Sequence, residues 1–322
     1  MKQFMRTILV TGGAGFIGSH VVDRLLAMGD RVVVVDDLND FYDPAIKRAN
    51  LAPHRGKEHF VFYEVDITDL DSLTRVFEEN KIDHVVHLAA RAGVRPSVEN
   101  PWLYEKVNIG GTLNLLELTR THGIKNFIFA SSSSVYGNQR KTPYSEDDPA
   151  VQPVSPYGFT KRAGELLCYT YHHLYGLHCI CLRFFNVYGE RGRPEMAFSL
   201  FTDALFNGKP IKRFGGGTTK RDYTYVGDIV EGVVRALDHD AKYEIINLGN
   251  SNPVPLNELI QILENITGKK ANVQEFPEHP GDVKATCANV TKAKRLLGWE
   301  PKVKIHEGAK RYVDWHRKTY LS

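Results

Sequence analysis

Short apolar runs alternate with helical spacing over the first half of the chain. Thr7-Ile8-Leu9-Val10 is the kind of run that a parallel strand covered on both faces requires, and helical periodicity follows over residues 19–28. Comparable runs recur at 31–35, 60–65, 83–88, 126–130 and 178–185. Helices are expected from about residue 70, over 102–122 with Gly110-Gly111 weakening the middle, and after Pro156. Strands and helices in this alternation predict an α/β fold with a doubly wound parallel sheet. One connection breaks the rhythm. Residues 37–57 are polar and too long for an ordinary strand-to-helix link, so they read as either functional or disordered. Past residue 189 the alternation lapses. A helix over 196–207, the turn Gly215-Gly216-Gly217, a returning strand at 244–248 and mixed short elements over 251–317 predict a smaller α/β C-terminal lobe. The expected division is 1–189, regaining the strand near 244–248, and a discontinuous lobe drawn mainly from 190–322.

Composition narrows the function classes. The chain has 322 residues, of which 42% are hydrophobic, enough for a large core. A formal charge of +3 and no dense Lys/Arg block argue against nucleic acid as a partner. No apolar run is long enough to span a membrane, and the first six residues lack the apolar region of a signal peptide. The four cysteines, Cys168, Cys179, Cys181 and Cys287, have neither zinc nor redox spacing. Cys179 and Cys181 fall on one face of a strand and read as core. His84 and His87 also read as strand residues, with no metal. Together these features fit a soluble cytoplasmic protein.

Three stretches carry chemistry. Thr11-Gly12-Gly13-Ala14-Gly15-Phe16-Ile17-Gly18 joins the first strand to the first helix, and Gly12, Gly15 and Gly18 repeat every three residues. Bare backbone there can approach a pyrophosphate, and the helix N-terminus offers it N–H groups and a positive dipole. Asp36 ends the second strand, with Asp37 beside it. A carboxylate at that position accepts hydrogen bonds from the adenosine ribose and repels a 2′-phosphate, so NAD is expected rather than NADP. Asp66-Ile67 would wall the adenine, and Leu88-Ala89-Ala90-Arg91 would pass close to the cofactor. Asn108 is read as a core hydrogen-bonder or a support for those loops. The second stretch, Ser131-Ser132-Ser133-Ser134, sits at the carboxyl end of a strand, where parallel sheets bind ligands. It could equally be an ordinary Ser-rich turn. The third is Tyr157-Gly158-Phe159-Thr160-Lys161, which puts a phenol and an ammonium on one helix face. Such an ammonium would favour the phenolate and make Tyr157 a base.

The three stretches, with Arg183-Phe184-Phe185-Asn186-Val187-Tyr188-Gly189 and Arg221-Asp222-Tyr223, make the chain resemble the extended short-chain dehydrogenase/reductase family over nearly its whole length. Within that family it looks most like the NAD-dependent nucleotide-sugar epimerases that act at C4 of UDP-glucuronate. The resemblance implies a Rossmann domain, a resident NAD, catalytic Tyr157 and Lys161, and Ser132 as their hydroxyl partner. It implies a UDP-sugar gripped by Ser132, Ser133, Ser134, Tyr157, Asn186, Arg193, Ala197, Phe198, Arg213, Phe214, Arg221 and Asp282. It also implies a homodimer packed through helices near 102–122 and 156–175. The likeness to the glucuronate enzymes lies in Tyr42-Asp43-Pro44 with Lys47-Arg48, in Gly192-Arg193-Pro194-Glu195-Met196-Ala197, and in His279-Pro280-Gly281-Asp282-Val283. Asn186, where many of those enzymes have Thr, instead resembles the neutral-sugar epimerases.

Overall fold

The computed structural model describes residues 5–139, 141–277 and 283–321. In chain order the elements are β1 (Thr7–Thr11), α1 (Phe16–Ala27), β2 (Arg31–Asp36), α2 (Pro44–Leu51), β3 (Phe60–Glu64), α3 (Leu70–Glu79), β4 (His84–His87), α4 (Val94–Glu99), α5 (Pro101–Glu105), α6 (Gly111–Thr121) and β5 (Asn126–Ser132). They continue with α7 (Pro156–Tyr175), β6 (His178–Phe184), β7 (Asn186–Tyr188), α8 (Ala197–Asn207), β8 (Pro210–Phe214), β9 (Lys220–Tyr225), α9 (Val226–Leu237) and β10 (Tyr243–Leu248). The last are β11 (Pro253–Pro255), α10 (Leu256–Thr267), β12 (Asn272–Phe276), α11 (Thr291–Leu297) and α12 (Ile305–Tyr320).

Seven strands form one parallel sheet in the order β10-β6-β5-β4-β1-β2-β3. Alternation along each strand feeds two separate cores. Ile8, Val10, Val32 and Val34 meet Val21, Val22 and Leu25 of α1 and Ile229 and Val233 of α9 on one face. Leu9, Val33, Val35 and Val85 meet Leu73, Phe77, Leu115 and Leu116 of α3 and α6, with Cys168 of α7, on the other. Cys179 and Cys181 of β6 join this second core. The strand order reverses between β1 and β4, and ligands of open α/β sheets bind at such a switch point, beyond the carboxyl ends of the strands. Two small sheets, β11-β9-β7 and β12-β8, lie in the second half of the chain.

Residues 37–57 are largely ordered. Asp43 accepts a hydrogen bond from the Ala45 amide at 2.9 Å and Pro44 takes the first turn, so α2 starts on a strong pair of signals. The long helix expected over 102–122 is three pieces: α5, a π-helical turn over residues 106–110, and α6. The π turn carries Asn108, and such turns recur at functional sites.

Candidate active site

Helix α7 brings the catalytic candidates to the sheet. Ser155 caps it by accepting the Gly158 amide at 3.0 Å, and Pro156 sets the first turn. A Cβ on Gly158 would stand 2.6 Å from the Ser134 carbonyl oxygen, so only glycine lets α7 press against the turn that follows β5. The close approach places Tyr157 and Lys161 beside the serines. Ser132 Oγ accepts the Ser134 amide at 3.1 Å and donates to Ser134 Oγ at 3.2 Å.

A buried ion pair fixes this arrangement from behind. Arg183 and Glu165, both almost fully buried, make two hydrogen bonds of 2.8 Å. Ser131 Oγ donates to the same carboxylate at 2.6 Å, tying the end of β5 to α7 one turn past Lys161. Burial alone would raise Glu165, but the hydrogen bonds and charge of Arg183 outweigh it and hold the carboxyl below its ordinary value. Arg183 was legible only as part of a motif, and its partner 18 residues earlier carries no local signal.

Lys161 corrects one expectation. Its Nζ donates to the Ala130 carbonyl at 2.8 Å, and burial lowers its pKa to about 7. An ammonium so disfavoured is a poor source of phenolate. Loss of water raises Tyr157, and the groups that pull it back are the Ser132 hydroxyl and the charge of Arg193.

A cleft of about 670 Å³ runs across the switch point. Of the cofactor candidates, Gly12, Gly15, Phe16, Ile17, Gly18, Asp36, Asp37, Asp66, Ile67, Leu88, Ala89, Ala90 and Arg91 line one end of it. Tyr157, Lys161, Ser132, Ser133, Ser134, Asn186, Arg193 and Arg221 line the rest. The glycine loop fits a dinucleotide. A Cβ on Gly18 would lie 2.0 Å from the Gly12 oxygen, so the loop closes onto the start of α1 only without side chains. Asp36 accepts the amides of Ala14 and Leu38, each at 3.0 Å, which braces that loop.

Five candidates stand elsewhere. Asn108 does not line the cleft; its side chain accepts the Arg91 amide at 2.8 Å and donates to the Arg91 carbonyl at 3.0 Å and to Thr160 at 3.0 Å. It therefore acts through the Leu88–Arg91 loop and α7. Ala197 begins α8 away from the cleft lining, and Phe198 is core, stacked on Tyr188 at 4.3 Å. Arg213 and Phe214 lie on β8, where Arg213 bonds Glu275 and Asn257 and Phe214 packs on Phe276, its ring also 5.2 Å from the guanidinium of the cleft-lining Arg95. Asp282 lies outside the described residues. Arg221 donates to the Val283 carbonyl at 2.6 Å; it does not pair with Asp222, whose buried carboxylate takes the amides of Asn250, Ser251 and Ala288. The cleft also takes Asn39, Phe41, Tyr42 and Lys47 from the segment around α2. The Asp43-Pro44 helix start was the signal that could have placed them.

His87 lies beneath the site in an ordered hydrogen-bond chain. Its Nδ1 is 2.8 Å from Thr11 Oγ1 and its Nε2 is 2.9 Å from Thr112 Oγ1, which itself donates to the Asn108 carbonyl at 2.6 Å. The Thr112 proton is thus committed, so Nε2 carries the imidazole hydrogen and Nδ1 accepts from Thr11. Burial holds the His87 pKa down to about 3. The folded imidazole stays neutral while the unfolded chain takes up a proton below its ordinary 6.5. Stability is therefore unaffected above pH 6.5 and falls as the pH drops toward 3, by about 5 kcal/mol at most. Chemical denaturation at pH 7 and pH 4.5 should show this loss shrinking in His87→Asn. An imidazole titrating near 6.5 in the folded protein, by NMR, rules the account out.

Comparisons with known proteins identify the family. A family profile described as GDP-mannose 4,6-dehydratase matches residues 9–312, and the chain belongs to the NAD-dependent epimerase/dehydratase family of extended short-chain dehydrogenases/reductases. A UDP-glucuronate 4-epimerase of Thermodesulfobacterium geofontis is 50% identical over 312 residues, which cover 97% of this chain and 96% of that protein. The crystal structure of a UDP-glucuronic acid 4-epimerase from Bacillus cereus, in complex with UDP-glucuronic acid and NAD, superposes with a TM-score of 0.90 at 38% identity, covering 98% of this chain and 100% of that one. That of a UDP-glucose 4-epimerase from Thermotoga maritima with UDP-glucose gives 0.91 at 38% identity and the same coverage.

Proposed function

We propose that this chain is a UDP-glucuronate 4-epimerase that keeps NAD bound through turnover and interconverts UDP-glucuronate and UDP-galacturonate. The observation that carries the reading is one cleft holding a dinucleotide cradle, the Tyr157–Ser132–Lys161 group and a lining of hydroxyls with Arg193. NAD, when bound, supplies an acceptor for the C4 hydride, returns that hydride, and brings a positive charge in its oxidised ring. Gly12, Gly15 and Gly18 would hold its pyrophosphate, Asp36 its adenosine ribose, and Lys161 its second ribose.

Tyr157, as phenolate, receives the proton of the C4 hydroxyl as that carbon is oxidised. Ser132 donates a hydrogen bond to the same oxygen as it becomes a ketone. The ketone turns about its diphosphate tether, which keeps it in the site while its other face is presented. Tyr157 then gives the proton back. Arg221 grips the UDP portion, and Asp282 is a further candidate. Arg193 meets the sugar acid, where a guanidinium fork suits a carboxylate.

A 4-keto glucuronate is a β-keto acid and loses carbon dioxide when its carboxylate bond stands perpendicular to the ketone. Ser133, Ser134 and Asn186 hold that bond away from perpendicular. Replacing Ser133 and Ser134 by Ala should raise the share of UDP-pentose among the products; an unchanged ratio of epimer to pentose removes this role. Dehydration, the activity named in the matching profile, needs a further acid and base at the neighbouring carbon, and Ser132-Ser133-Ser134 offers hydroxyls only.

The same fold similarity to the Thermotoga maritima enzyme supports a second reading, UDP-glucose 4-epimerase. Purified protein incubated with each sugar nucleotide and no added cofactor separates the two. Epimer from UDP-glucuronate, with no net change in NADH absorbance, is the expected result. Net NADH release would point instead to a sugar oxidoreductase. The protein acts as a homodimer: Trp102, Phe159, Leu166 and Tyr169 of α5 and α7 are exposed apolar side chains, whereas Tyr104 and Leu115 are buried within the chain. A solution mass equal to one 36.4 kDa chain contradicts that assembly.

A further inference from the structure

Arg193 reaches the cleft from a turn in which the Gly192 amide donates to the Gly189 carbonyl at 3.0 Å, and its guanidinium pairs with Glu195 at 3.3 Å. Arg191, two residues before Arg193, has φ +60, a left-handed conformation that costs a non-glycine residue of this size and persists only where surroundings enforce it. Beyond the local bonds and the Tyr225 hydroxyl on Glu190, two contacts that reach Arg191 and its neighbour come from α1. His20 and Asp23 stand three apart on one face of that helix. His20 Nε2 donates to the Glu190 carbonyl at 2.8 Å, and Asp23 Oδ2 pairs with Arg191 Nη2 at 2.7 Å.

The other oxygen of Asp23 is also taken. His54 Nε2 approaches Asp23 Oδ1 at 2.5 Å, and His54 closes the short helical turn that follows α2. One carboxylate thus joins the two walls of the cleft. One wall is the segment carrying Phe41, Tyr42 and Lys47; the other is the turn carrying Arg193. The two walls also touch inside the cleft, where the Arg193 guanidinium lies 5.9 Å from the Phe41 ring centre. Neither Asp23 nor Arg191 is among the described residues lining the cleft.

We infer that Asp23 and Arg191 are positioning residues that set Arg193 for the acidic sugar, and so act on substrate selection from outside the cleft. The inference rests on the role proposed above for Arg193. A surface ion pair between Asp23 and Arg191 adds little to stability by itself. Its value here is geometric: it fixes the backbone two residues from the guanidinium.

Steady-state kinetics with UDP-glucuronate test this, using Asp23→Ala, Arg191→Gly, Arg193→Ala and the double variant Asp23→Ala/Arg193→Ala. Arg193→Ala should raise KM by about tenfold, the loss expected when a charge-assisted contact to an anion is removed. Asp23→Ala and Arg191→Gly should raise it in the same direction, with NAD content unchanged. Glycine accepts the left-handed backbone, so Arg191→Gly removes the ion pair without threatening the fold, and it carries the test should Asp23→Ala not fold. The double variant should be no worse than Arg193→Ala, because both changes act on one contact. Additive losses, or an unchanged KM in Arg191→Gly beside a raised KM in Arg193→Ala, overturn the inference and leave the proposed function standing. An unchanged KM in Arg193→Ala removes the role of Arg193 and the inference with it.

Discussion

Tyr157→Phe should cut kcat for UDP-glucuronate epimerisation by about 10²–10⁴-fold, the usual contribution of a positioned proton acceptor. The change deletes one oxygen and keeps the ring, which packs edge-on to Tyr104 at 6.4 Å. NAD content and thermal stability should therefore match the unaltered protein, since the glycine loop and the Glu165–Arg183 pair are untouched. The two groups nearest it in the proposed chemistry are otherwise engaged. Ser132 is already committed to the Ser134 amide, and Lys161 donates to the Ala130 carbonyl. A Tyr157→Phe protein with full turnover removes the phenol from the mechanism.

The second large effect is expected at Gly18. In Gly18→Ala the new Cβ would sit 2.0 Å from the Gly12 oxygen and 2.8 Å from the Gly13 Cα. Both neighbours are backbone, so no side-chain rotation relieves the clash and the loop must open. Overpacking of this kind costs about 1–3 kcal/mol where the surroundings can give, and more where they cannot. In the proposed reading the displaced atoms cradle the pyrophosphate, so the loss should fall chiefly on the cofactor. Protein purified as Gly18→Ala should retain at least roughly tenfold less NAD per chain, as read from nucleotide released on denaturation. Gly110→Ala is the control: its Cβ meets nothing within 4 Å, and its NAD content should be unchanged. Equal NAD content in the two variants contradicts the cradle.

Much of this was legible because the relevant forces are local. β1 and β2 are continuous apolar runs, and a parallel sheet covered on both faces needs such runs. The glycine spacing and the four-residue step from Tyr157 to Lys161 are geometric statements that sequence makes directly. What escaped depends on contacts between distant parts of the chain. The polar surface of residues 37–57 masks a short helix that starts at Asp43-Pro44. Arg213 and Phe214 are a cation beside an aromatic; the pairing of β8 with β12 brings them to Glu275 and Phe276, and the Phe214 ring also lies 5.2 Å from the guanidinium of Arg95, which lines the cleft. The four-residue step sets Lys161 near Tyr157, but the spacing says nothing of burial, which lowers the Lys161 pKa and raises that of Tyr157, against the Ser132 hydroxyl and the charge of Arg193, 36 residues on.

The central claim is that one cofactor molecule, lodged beside Tyr157, takes the C4 hydride and returns it to the same sugar. UDP-glucuronate carrying deuterium at C4, incubated with purified protein and an excess of added unlabelled NAD, tests it most directly. The account predicts UDP-galacturonate with the deuterium still at C4 and none in the free nucleotide. Deuterium in the free NADH, or an epimer carrying hydrogen at C4, would contradict it.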